Sequence, residues 1–90
     1  MAGAAVKIKI MPSSPDANLD EIEAKAKQLI ETEKGKVAKV EREPIAFGLN
    51  AIIILFAWDE DCDREALEEK LKQIENVNSA EIVDFRRAFG

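Results

Sequence analysis

Residues 49–58, LNAIIILFAW, are apolar at nearly every position, and this run constrains the chain more than any other feature. It is far too short to cross a membrane, which takes about 20 apolar residues as a helix. A strand apolar on both faces belongs between two neighbours, so we read it as a central strand of a sheet.

The flanking segments supply the partners. Residues 4–11, AAVKIKIM, alternate: Val6, Ile8 and Ile10 point one way, Lys7 and Lys9 the other, the mark of a half-buried strand. Pro12 and the Ser-Ser-Pro after it end that strand in a loop. In NLDEIEAKAKQLIETE, Asn18 is placed to cap a helix and Glu21 to complete a capping box. Leu19, Ile22, Ala26, Leu29 and Ile30 form its apolar face, and Lys34-Gly35-Lys36 stops it. Residues 37–45 alternate poorly and end near Pro44, which suits an edge strand. Phe47-Gly48 then makes a tight connection into the apolar run. Asp63 caps a second helix, REALEEKLKQIEN, with Leu67, Leu71 and Ile74 on its buried side. Residues 76–79 turn the chain into a last strand over 80–87.

The order is strand, helix, strand, strand, helix, strand. Two helices cannot cover both faces of a four-stranded sheet, so both are expected on one face. This is an α+β, ferredoxin-like βαββαβ two-layer sandwich with a four-stranded antiparallel sheet. Right-handed crossovers place the first and third strands in the centre. At 90 residues the chain has room for one core, and residues 1–90 are expected to form one domain.

Several chemistries find no support. The chain has no histidine, which removes the usual general base, the commonest metal ligand and every Ser-His or Cys-His pair. The Asp59-Glu60-Asp61-Cys62-Asp63 cluster begins like a calcium loop, but Arg64 stands where glycine is needed and Lys70 where a bidentate glutamate is needed. Acidic residues preceding a helix are the plainer reading. Gly35-Lys36 lacks an upstream glycine at phosphate-loop spacing, so no nucleotide cradle is expected. Cys62 is the only cysteine, so no internal disulfide forms, and its acidic neighbours disfavour a reactive thiolate. No cofactor, no metal and no enzymatic activity are expected. A net charge of −5 argues against direct nucleic-acid binding. With no membrane span and no signal-like segment, a cytoplasmic setting is the expectation.

Trp58 is expected to anchor the core at the end of the central strand. If Ile52, Ile54 and Phe56 face the helices, Ile53 and Leu55 lie on the open face beside Lys7 and Lys9. That face then either binds a partner or second copy, or merely carries scattered apolar residues.

Three blocks in register, VKIKIMPSSPD, EREPIAFGLNAI and EIVDFRR, resemble the archaeal translation elongation factor 1-beta family. That family is related to the C-terminal exchange domain of eukaryotic elongation factor 1-beta. The resemblance covers essentially the whole chain. It implies the ferredoxin-like fold and guanine-nucleotide exchange on elongation factor 1-alpha, the GTPase that delivers aminoacyl-tRNA to the ribosome. It also implies roles for individual residues. Phe47, in the P-x-x-F-G turn with Gly48, matches a phenylalanine that enters a hydrophobic pocket on a second domain of the GTPase. Arg87, with Arg86 adjacent, matches the position of a lysine that disturbs the GTPase's magnesium site in the eukaryotic domains. Arginine there departs from that pattern, because guanidinium is planar and bulkier. Without the resemblance, Phe47 reads as a turn residue folded under the sheet edge and Arg87 as a solvated terminal charge. The exchange reading expects a protein that is monomeric alone. The alternative reading is a ferredoxin-like regulatory or ligand-binding module dimerising through its open sheet face. An acyl-phosphatase-like enzyme would need a Gly-rich phosphate loop with its arginine, which is missing.

Overall fold

A computed structural model describes residues 3–59 and 62–89, with the side chains of 88 and 89 excepted. Its elements run β1 (Gly3–Pro12), α1 (Leu19–Thr32), β2 (Lys36–Pro44), the turn Ala46–Gly48, β3 (Asn50–Asp59), α2 (Arg64–Lys72) and β4 (Val77–Phe89). The strands form one antiparallel sheet in the order β2-β3-β1-β4, and both helices cover the same face. This is the expected ferredoxin-like arrangement, with β1 and β3 in the centre.

The core follows from alternation. Val6, Ile8 and Ile10 of β1 and Ile52, Ile54, Phe56 and Trp58 of β3 turn one side of each strand towards the helices. Ile22, Ala26 and Ile30 of α1 and Leu67 and Leu71 of α2 close over them. No polar side chain is buried among the described residues, so the layer is held by apolar area removed from water. Asn18 accepts the Glu21 amide and Asp63 the Ala66 amide, satisfying one otherwise orphaned donor at each helix start.

The chain leaves α1 at Lys34-Gly35 as expected, with Lys34 in the left-handed position at φ 72°. Gly35 is required for close approach, since an added Cβ would lie 2.5 Å from Ile30 Cγ2 and 3.1 Å from Phe56 Cδ2. The chain turns earlier than residues 76–79: Asn76 alone is left-handed, at φ 70°, and β4 begins at Val77. β4 also runs past Arg87 to Phe89, with register shifts against β1 between Gly3/Ala4, Lys7/Ile8 and Met11/Pro12. Those shifts are why its sequence alternates imperfectly.

The two edge strands are held from the helix side. Arg42 of β2 reaches Asp20 and Glu23 of α1, and Glu68 of α2 accepts the Ile82 amide of β4 at 2.7 Å. Trp58 is buried as expected, and its indole N–H donates to the Glu33 carbonyl at 2.8 Å, tying β3 to the end of α1.

Candidate functional site

Phe47 stands at the tip of the hairpin joining β2 to β3. The Ile45 amide donates to the Leu49 carbonyl at 2.7 Å, and the Leu49 amide to the Ala46 carbonyl at 3.4 Å. Between them Phe47 adopts φ 63°, ψ 30°, and Gly48 φ 75°. Two successive positive φ values are the pattern of a mirror-image hairpin turn, usually built from Asn-Gly. An L-residue held there costs about 1–2 kcal/mol, and phenylalanine has no local hydrogen bond to offset it. Phe47 as a whole is 92% exposed, so it is not folded under the sheet edge. A strained backbone that projects an uncovered aromatic gains nothing for the fold itself.

Arg86 and Arg87 lie in β4, opposite Ala5 and Ala4 of β1. Both lie within the last strand, as expected, and that strand continues past them to Phe89. Both are exposed, and strand alternation sends them to opposite faces. Arg87 shares the helix side with Ala4, whereas Arg86 emerges on the open face, where its Nε lies 3.0 Å from Asp84 Oδ2.

The structure does not bring Phe47 together with the arginines. Asn50, next to the turn, begins β3, and Asp59, opposite Gly3 beside the arginine end of β4, finishes it. Ten residues of strand separate the two ends by roughly 30 Å, within a molecule 42 Å long.

On the open face Ile53 is only 4% exposed, covered between Lys9 and Glu41, its cross-strand neighbours. It is therefore no sticky spot; Leu55 is half-buried. Beside Leu55 the face sinks into a groove of about 600 Å³, lined by Ala5, Lys7, Ala57, Asp84 and Arg86 among others. The sequence did not reveal it, because it depends on register setting Ala5 against Ala57. The pairing of small residues in GAAV and LFAW is the only signal.

In the acidic cluster, Glu60 and Asp61 lie outside the described residues. Burial, with the Asp59 charge adding to it, pushes the Cys62 thiol above its ordinary pKa. The residues after Asp59 therefore give no activated nucleophile at Cys62. No helix among the described residues is long and apolar enough to cross a membrane.

Residues 5–88 match the family model described as the EF-1 guanine nucleotide exchange domain. The chain is 52% identical over 77 residues to Elongation factor 1-beta of Pyrococcus abyssi, covering 83% of this chain and 84% of that one. It is 49% identical to Elongation factor 1-beta of Thermococcus gammatolerans over the same length and shares. To Elongation factor 1-beta of Methanococcus maripaludis it is 35% identical over 85 residues, 93% of this chain and 96% of the relative.

Proposed function

The chain belongs to the family of EF-1 guanine nucleotide exchange domains, and from that premise we propose that it releases GDP from elongation factor 1-alpha, gripping the GTPase at two separate points. No bond is made or broken. The factor binds the nucleotide-poor GTPase more tightly than the loaded one, and linkage weakens nucleotide binding by the same free energy. A coupling of roughly 3 kcal/mol weakens it about 150-fold.

Phe47 is the anchor. A rigid aromatic on a tight turn buries much area in a partner's pocket while losing little side-chain freedom. At the other end of the sheet, Arg87 is the basic wedge, with Arg86 beside it. Its positive charge competes for the carboxylates and phosphates that hold the GTPase's own Mg²⁺, and its planar fork suits a carboxylate or phosphate. The wide separation of the two ends fits contacts to two domains of the partner. Residues 1–90 act as one exchange domain, monomeric by itself.

The observation that carries this reading is the uncovered Phe47 ring on a backbone strained to present it. The competing module that dimerises through its open face loses its main support with the burial of Ile53.

The test is release of a fluorescent GDP from elongation factor 1-alpha, with and without this protein. Release at the unassisted rate, with the factor in excess, ends the proposal. Arg87→Ala separates the roles, since the maximal release rate should fall while binding weakens only partly. Truncation from residue 86 is a poorer probe, because it also removes the end of β4 from its ladder with β1.

A further inference from the structure

The open face of the sheet is divided by charge. At the end near the hairpin, Glu41, Glu43 and Glu81 surround Lys9, and Lys9 Nζ lies 3.7 Å from Glu43. At the opposite end stand four cations, Lys7, Lys36, Lys39 and Arg86, against two acidic residues, Asp84 in the groove's lining and Asp59 opposite Gly3 at the end of β3. Lys39 pairs with Glu41 at 3.3 Å and Arg86 with Asp84 at 3.0 Å. Lys7 and Lys36 make no ion pair among the described residues. In a chain of net charge −5, cations without partners are gathered around the groove floored by Ala5, Leu55 and Ala57.

We propose that this groove docks an acidic segment of the GTPase that also carries an aliphatic side chain, extending the contact that begins at Arg86. The inference rests on the exchange reading above. Charge complementarity argues for an anionic occupant, and the aliphatic floor requires an apolar group with it. A nucleic acid meets the second condition poorly, because the floor offers no aromatic platform for a base. A second copy could bring its own acidic end, but there Ala51 and Ile53 are buried and leave no aliphatic group to fill the floor.

The half-saturating concentration of the factor in fluorescent-GDP release tests the proposal. Ala57 and Lys36 are exposed, so Ala57→Glu and Lys36→Glu should fold normally, checked by their denaturation midpoints. Each should raise the half-saturating concentration at least tenfold with the maximal rate retained, while Glu81→Lys, at the other end of the face, should leave it unchanged. Unchanged values for both groove variants overturn the proposal. So does either variant retaining full exchange while losing single-stranded RNA binding, or while dissociating a dimer seen by sedimentation. If the wild type binds the GTPase without releasing GDP, the exchange reading fails by itself. The groove is then judged on whether Ala57→Glu weakens that binding tenfold; if the wild type does not bind, both fail.

Discussion

Phe47→Asn should move stability and activity in opposite directions. In the folded protein Phe47 is 92% exposed, so removal of its ring forfeits almost no burial. Its backbone, at φ 63° and ψ 30°, costs about 1–2 kcal/mol for an ordinary L-residue. Asparagine tolerates that region, and Asn-Gly is the preferred pair for this turn. The net gain is about 1 kcal/mol, which raises the midpoint of a domain this size by about 4–8 °C. Against the GTPase the sign reverses. Full burial of a phenylalanine contributes about 1.5–3 kcal/mol, so its loss raises the half-saturating concentration in GDP release by roughly 10- to 150-fold. Thermal denaturation and release kinetics on one preparation read both effects. A lowered midpoint would mean that the ring packs on its own fold, and unaltered release kinetics would mean that it is no anchor. Either result refutes the reasoning.

Gly35→Ala should destabilise by about 1–3 kcal/mol in chemical denaturation, because the new methyl meets Ile30 and Phe56 and the core has no room to yield. Trp58→Phe removes the indole N–H that donates to Glu33 and should cost about 1–3 kcal/mol, while exchange per folded molecule stays the same. Cys62 should react slowly with iodoacetamide at pH 8, since burial holds its thiol above the usual range and keeps the thiolate scarce. The rate should climb as pH rises past that range, whereas a rate matching a free thiol at pH 8 would contradict the burial.

The fold was legible because its signals are redundant. Alternation in VKIKI, helical spacing from Leu19 to Ile30 and the apolar run of β3 each point to the same two-layer arrangement. What escaped was whatever depends on register. Ile53 looked exposed because strand alternation assigns it to the open face, and only pairing with Lys9 and Glu41 shows that long neighbours cover it. The extent of β4 escaped for a similar reason: bulges let one strand use more residues than its partner, blurring the period of two. At the hairpin, Gly48 announced a positive φ, but nothing in the letters said that Phe47 would share it. That second value separates a turn that merely permits an aromatic from one that presents it.

The distance between Phe47 and the arginines bears on how such a factor works. A flexible tether between two contact points would lower their effective concentration and absorb any movement one end imposes on the other. Here the two are joined by β3, a central strand paired along its length with β1 and β2 and covered by helices on one side. Ladder pairing on both sides leaves β3 little freedom to bend, so the spacing is fixed by strand length. On the proposed reading, seating Phe47 would leave the arginine end only a narrow range of positions on the GTPase. A partner engaging both ends would then have to match a spacing set by a paired strand rather than by a flexible tether.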